Sequence, residues 1–462
     1  MLKENVVLQV LEKALSSGGD FAEIFGEDTL SNHITLIDGK VDQLSSGRIY
    51  GVGIRVFKNF QSVYAYTNDT RLESLLAAAE KAAVVLGEID KSSQSELFLE
   101  ERINANHYPI QIVPSSIHSR KKINVLKLLH HEAKSLSSEI SQVVAQMMDT
   151  DQSILIANSE GLLTHDRRVR TRVIGQAIAS SDSENQVGYE GPGRHMGFEM
   201  FSDLVDIPSI GRQIAQTAST MLHAPPCPAG TMPVAIENQF GGVIFHEACG
   251  HSLEATSVAK GTSEFTGKMG EQIASPCVTA IDDATIPFGW GSQNMDDEGN
   301  PAQKTVLIED GILKSYLVDR LNAKRMNMKT TGSGRRESYQ HAPTSRMSNT
   351  YIDNGQYSHN EIIGSMDNGL YAKRLGGGSV DPATGEFNFA VLEGYLVKNG
   401  KISDPVRGAS LIGKGSDILK KIDMVGDNLD HGTGMCGAES GNVPAFVGQP
   451  LIRVSSMTVG GK

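Results

Sequence analysis

The sequence predicts an α+β protein: an N-terminal mixed α/β region in two units, followed by a mostly antiparallel β C-terminal domain that carries one short helix. Three observations predict it. Stretches with apolar residues at helical spacing alternate with strand-like runs over roughly the first 220 residues. At Pro225-Pro226-Cys227-Pro228, which cannot continue a helix and has few backbone donors, the texture changes to short β-rich runs. The 48 glycines among 462 residues supply the turns between those runs. The expected units are residues 1–90, 111–223 and 229–462.

In the first unit, Val6, Val7, Val10, Leu11 and Leu15 follow helical spacing, and Gly18-Gly19 stops the helix. Strand-like runs follow at Phe21–Phe25, His33–Ile37, Val41–Leu44, Ile49–Phe57 and Ser62–Tyr66. Asp38-Gly39 is a hairpin signal, because both central positions of that turn need positive φ. Arg71–Leu86 is alanine-rich at helical period, and the polar residues 87–110, with Pro109, read as a linker. In the second unit, Ser115 or Ser116 would cap a helix through Leu136. Val143–Met148 and Ile154–Asn158 read as two strands, Leu162–Ser180 as an alternating strand and Gly197–Leu222 as helical. Strands are expected in the third unit at Pro233–Ile236, Lys304–Ile308, Ile312–Val318, Phe387–Val397 and Pro450–Val454, with hairpin turns at Glu309-Asp310-Gly311 and Lys398-Asn399-Gly400. No internal repeat of fixed period is visible.

A net charge of −12 argues against a nucleic-acid surface, which needs a concentrated basic face. Arg167–Arg172 alternates with apolar residues and reads as the exposed face of a strand. No segment approaches the ~18 apolar residues of a membrane span and no secretory leader is visible, so a soluble, cytoplasmic protein is expected. Cys227, Cys249, Cys277 and Cys436 are scattered and form no disulfide framework.

The most informative segment is Gly241 to His251, which resembles the H-E-x-x-H zinc helix with its second histidine one residue late. At 3.6 residues per turn, positions i and i+5 lie roughly 140° apart, so two such imidazoles cannot reach one ion from a straight helix. The helix must loosen or end between His246 and His251, and Gly250 is a residue type that allows this. On spacing alone, a metal pair and a coincidence both remain open. His131-Glu132 illustrates the coincidence, since the fifth position after His131 is Leu136.

Wider context makes the pattern specific. Phe245 to Ala255, Ile49–Val56, Ala65–Asn68, Asp297-Glu298-Gly299 with Pro301, Arg346–Thr350 and Leu411–Gly415 resemble segments of the TldD/PmbA family of zinc metallopeptidases, also known as modulators of DNA gyrase. Gly434–Gly437, Val443-Pro444, Gly448-Gln449-Pro450 and Thr458–Gly461 extend the likeness to nearly the whole chain. The resemblance implies that His246 and His251 bind Zn²⁺, and that Cys436 matches the family's third ligand near the C-terminus. Three ligands leave a fourth position for water, and Glu247 would serve as the general base that activates a zinc-bound water. The implied substrate is a small or unfolded peptide held as an extended strand. The implied partner is a second copy or a homologous TldE/PmbA-type subunit.

Blander and competing readings stand beside these. Cys249 packs as a small core residue rather than ligating, and His431, five residues before Cys436, is a competing ligand. His341 and His223 read as surface or supporting groups, and Cys227 and Cys277 as core or loop packing. Arg320, Arg325, Arg335 and Arg336 form a basic stretch, either a solvated face or a carboxylate reader. Gly376–Gly378 and Gly413-Lys414-Gly415 lack the strand-loop-helix context of a nucleotide site. The functional alternatives are a non-catalytic partner or scaffold subunit of a TldD/TldE-type complex, and a purely structural zinc site closed by four protein ligands.

Overall fold

The computed structural model describes residues 2–87, 97–380 and 385–461. Met1, residues 88–96 of the expected linker and the last residue of the expected third unit lie outside them. The architecture is α+β, as the sequence predicts.

Residues 21–194 build one eight-stranded sheet, in which Phe21–Ile37 and Ile140–Asn158 pair antiparallel at the centre. The element order on either side of that central pair is the same. A helix (Glu4–Leu15) leads to a long hairpin (Phe21–Ile37 with Lys40–Lys58), a third strand (Gln61–Thr67) and a closing helix (Leu72–Leu86). The second set runs Ser119–Leu136, Ile140–Asn158 with Leu162–Ser180, Asn185–Glu190 and finally Ile207–His223. The same bidentate pair occupies the same place in both hairpins: Arg48 on Asp28 at 2.7 Å, and Arg167 on Asp151 at 2.7–2.8 Å. The molecule therefore contains a structural repeat that the sequence reading missed, because it resides in strand pairing rather than in residue identity.

Several expected elements merge. Phe21–Phe25 and His33–Ile37 are one strand, Val41–Leu44 and Ile49–Phe57 another, and Val143–Met148 and Ile154–Asn158 a third. The polar residues that suggested breaks are partnered: Asn32 donates to Asp149 and Gln152 to Glu27 across strands, and Lys122 of the helix Ser119–Leu136 pairs with Asp149. Asp38 (φ 48°) and Gly39 (φ 72°) make the expected turn. The helix expected from Ser115 or Ser116 starts at Ser119, where His118 accepts from the Arg120 amide; Pro114–Ser116 is a separate 3₁₀ turn. Gly197–Leu222 is likewise divided, because Asp206 caps a new helix whose first turn holds Pro208.

Beyond Pro228 the chain forms a six-stranded and a seven-stranded sheet, mostly antiparallel with two parallel pairings. Asp310 and Asn399 take φ near +49° at the two expected hairpins. The expected strand Ile312–Val318 shrinks to Ile312–Leu313, because Tyr316 turns its hydroxyl to the Phe265 carbonyl and the Val318 amide bonds to Thr331. The strand expected at Pro450–Val454 begins later and runs Ile452–Gly460. Between the two sheets lies the main apolar core, in which the six-residue helix Val243–Ala248 is embedded.

The basic stretches are corrected by the seam between the N-terminal sheet and the rest. Arg168, Arg170 and Arg172 point from alternate positions of one strand into this seam and are buried. Arg168 pairs with Asp297 at 2.6 Å, and Arg170 donates to the Trp290 and Ser292 carbonyls at 3.0 Å. Arg336 pairs with Glu23 at 2.6 Å, Arg335 donates to the Met347 carbonyl, and Arg320 and Arg325 reach Glu160 and the Phe60 carbonyl. Arg168, Arg170, Arg320, Arg325 and Arg336 join two layers and Arg335 is buried within one, so the stretch is neither a solvated face nor a carboxylate reader. Period-2 alternation only says that two faces differ, and here the face carrying Arg168, Arg170 and Arg172 is buried while Arg167 stays exposed on the other. Neighbouring substitutions should separate accordingly in urea unfolding. Arg167→Gln, half exposed, is expected to cost at most about 1 kcal/mol. Arg168→Gln, which strands Asp297, is expected to cost about 3 kcal/mol. Equal losses would contradict this assignment.

Candidate metal centre

Val243–Ala248 is buried along its length and carries His246 inward. The helix ends at Cys249 (φ −134°, ψ −44°), and Gly250–Leu253 continues as a 3₁₀ turn that carries His251. That break brings histidines five apart onto one side, with ring centroids 5.1 Å apart and planes at 83°. Gly250 serves it through space rather than through positive φ: a Cβ there would stand 2.2 Å from the Met347 sulfur.

Cys436 arrives on the edge strand Asp430–Ala438 of the six-stranded sheet. Its Sγ lies 3.4 Å from His251 Nε2, and one donor atom from each of His246, His251 and Cys436 falls within 4.8 Å of the others. Nitrogen and sulfur ligands of one tetrahedral cation stand about 3.5 Å apart, so this spacing fits. Nδ1 of His246 is buried without a hydrogen-bond partner among the described residues. Burial alone would raise the Cys436 thiol, but the facing His246 and His251 hold it well below its usual value, toward the thiolate that binds metal. The donor set can therefore hold a metal ion.

Two residues unremarked in the sequence support this set. Glu254 Oε2 lies 3.2 Å from His251 Nδ1, which turns Nε2 toward the thiol. Burial lowers the His251 pKa, yet Glu254 and Cys436 raise it well above normal. Arg346, fully buried, donates to the Cys436 carbonyl, to Ser440 Oγ at 2.9 Å and to the Gly441 carbonyl at 2.8 Å, and lies 3.8 Å from Glu254. Both lie inside the motif segments read above. The available signal was the three-residue offset of Glu254 from His251.

Glu247 Oε2 lies 3.8 Å from His251 Nε2 with about a quarter of its side chain exposed, so the carboxylate stands at the open side of the cluster. Cys249 is fully buried in the core, and burial pushes its thiol well up. His431 stacks on Phe446 at 5.0 Å, and burial pulls its pKa down to about 4. Neither belongs to the cluster. His341 contacts Ser338 and His223 pairs with Glu139, both away from the site. A groove of about 560 Å³ is lined by Phe240-Gly241, just ahead of the His246 helix, and by Asp430–Met435, just ahead of Cys436, while His246, Glu247, His251 and Cys436 themselves do not line it.

Known proteins resemble this chain in sequence and fold. Models described as PmbA/TldA metallopeptidase domain 1, central domain and C-terminal domain match residues 22–85, 112–222 and 229–461. A Haemophilus influenzae protein named "Metalloprotease TldD homolog" is 36% identical, covering 100% of this chain and 97% of its own. A "Metalloprotease" of Methanothermobacter thermautotrophicus is 34% identical, covering 96% of each. The solved structure of TldE from Thermococcus kodakarensis shares the fold at a TM-score of 0.76 and 19% identity, covering 99% of this chain and 100% of that one. With matching models along its length and relatives above 30% identity end to end, this chain belongs to the TldD/PmbA family of metallopeptidases.

Proposed function

We propose that this protein is a zinc-dependent peptidase that hydrolyses small or unfolded peptides. One observation carries the reading: a His246, His251 and Cys436 donor set with the Glu247 carboxylate beside it on the open side. Two imidazoles and a thiolate suit zinc, and three protein ligands are the pattern of hydrolytic rather than structural sites. When bound, zinc supplies Lewis acidity toward the scissile carbonyl. Glu247 takes the proton of the attacking water and returns it to the leaving amine. His251, oriented by Glu254, and Cys436, anchored through its carbonyl by Arg346, keep the donors in place. The groove accommodates the peptide in extended form, so that backbone is read more than sequence.

The complete donor set speaks against a role as scaffold alone. The likeness to TldE supports assembly as a dimer, either with a second copy or with a homologous TldE/PmbA-type subunit. We place the protein in the cytoplasm; no helix among the described residues is long and apolar enough to cross a membrane.

Metal analysis joined to a cleavage assay tests the reading. The purified protein is expected to carry about one zinc per chain, to cut an unfolded polypeptide, to lose activity on chelation and to regain it with zinc. Fully zinc-loaded protein that leaves unfolded polypeptides intact, alone and with its homologous partner, would sink the proposal.

A further inference from the structure

Two guanidinium groups, Arg172 and Arg194, line the groove; like the buried Arg170 and Arg335 they bond to backbone carbonyls, but unlike those two they open onto a cavity. Arg172, buried in its wall, donates Nε to the Gly191 carbonyl at 3.1 Å and Nη2 to the Tyr189 hydroxyl at 3.2 Å and the Thr433 carbonyl at 3.4 Å. Arg194 donates Nη1 to the Gly193 carbonyl at 2.9 Å and lies over the Phe446 ring, 4.9 Å from its centre. Among the described residues, neither has a carboxylate within ion-pair distance. The remaining charges of the groove, Asp430 apart, are matched by opposite charges. Glu190 pairs with Arg374; Arg374 and Lys373 both pair with Glu393; Asp430 accepts from Gln239 and from the His431 amide.

An arginine keeps its charge, and a largely buried charge without a counter-ion costs several kcal/mol. Burial lowers the pKa of both groups, and the Tyr189 hydroxyl at Arg172 and the more distant Asp430 charge at Arg194 offset this only in part. Such a pair is matched by a carboxylate, whose two oxygens fit the guanidinium fork. Its position relative to the chemistry follows from the strand. Thr433 contacts Arg172 and precedes Cys436 by three residues, roughly 10 Å at ~3.4 Å per residue. A peptide extended along the groove would therefore reach this pair about three residues from the bond facing the metal.

We propose that the Arg172–Arg194 pair selects peptides bearing a carboxylate about three residues from the cleaved bond. The proposal rests on the peptidase reading and narrows its substrate class. The carboxylate comes either from an acidic side chain or from the C-terminus of a short peptide. These sources are separable by experiment.

Three fluorescent peptides of one length serve as probes: one with a Glu three residues from the centre and an amidated end, one with Gln there and an amidated end, and one with Gln there and a free C-terminus. Binding is read by anisotropy on the full-length, zinc-loaded Glu247→Gln protein, and kcat/KM on the otherwise unaltered protein. At least one carboxylate peptide is expected to bind about tenfold or more tighter than the neutral one. Arg194→Gln should bring the three within about twofold of one another while leaving affinity for the neutral peptide unchanged. Arg172→Gln should do the same; if it fails to fold, Arg194→Gln alone decides. Tighter Glu peptide identifies side-chain recognition, and tighter free-acid peptide identifies end recognition. Equal binding of all three, or a preference that survives Arg194→Gln, overturns the proposal. If all three are cut equally well, the carboxylate site falls while the peptidase stands. If none is bound or cut, both fall.

Discussion

Glu247→Gln is expected to retain zinc at full stoichiometry and to lower peptide hydrolysis by about 10²–10⁴-fold. The side chain keeps its size, and it is not among the donor atoms that cluster for the metal, so the centre should assemble unchanged. Lost is a carboxylate at the open side of the site, 3.8 Å from the ring of His251, able to accept a proton from water. An amide has no such capacity near neutral pH. Metal content, thermal midpoint and kcat measured on one preparation separate chemistry from folding. If activity persists within about threefold, another base is at work and the role assigned to Glu247 is wrong. If zinc is lost as well, Glu247 supports the metal and the assignment must change.

Cys436→Ser should instead act on the metal. A serine hydroxyl is a poor ligand beside a thiolate, and removing one of three protein donors is expected to weaken zinc binding on the order of 10³-fold. Activity then disappears because the ion does. Added zinc in excess should restore part of it, which sets this variant apart from Glu247→Gln. Removing the last thirty residues, which takes away Cys436 and the strands Gly441–Gln449 and Ile452–Gly460, should abolish metal binding outright. A competition titration with a chromophoric chelator reads both. Undiminished affinity in Cys436→Ser would show that the third ligand lies elsewhere; Glu254, bonded to His251, is then the first residue to test.

Much of this centre was legible in linear order. A helix cannot present positions five apart to one ion, so the break between His246 and His251 followed from helix geometry. It occurs at Cys249, next to the residue expected to permit it. The reason for Gly250 was not legible, because it is the sulfur of Met347, nearly a hundred residues away, that leaves no room for a Cβ. Glu254 and Arg346 escaped notice for a related cause. The three-residue offset of Glu254 from His251 is a spacing shared by many unrelated pairs, and a guanidinium holding a distant backbone carbonyl has no characteristic spacing at all. Among the elements, hairpin turns and the long N-terminal helices were read best, because their signals are local, whereas the short helices Arg320–Met326, His359–Gly364 and Gly415–Lys421 of the C-terminal domain were missed. Long strands were cut short wherever polar residues interrupted them, since Asn32, Asp149 and Gln152 are paid for by partners on neighbouring strands and on the helix Ser119–Leu136.

The linear sequence by itself determined the fold class, the turns where Asp38-Gly39 and Asp310-Gly311 demand positive φ, and the need for a helix break between His246 and His251 if both are to face one ion; the assignment of that pair came from the family resemblance. The first three depend on residue type and short-range spacing, which the chain carries wherever it goes. Tertiary structure alone decided the rest. It brought Cys436 within 3.4 Å of a histidine 185 positions earlier, and turned Arg168, Arg170, Arg335 and Arg336 from an apparent solvent face into a buried seam. It also left Arg172 and Arg194 facing a groove without a carboxylate partner. Burial and the identity of a charge's partner arise only when distant segments pack, and no local pattern encodes which segments those are.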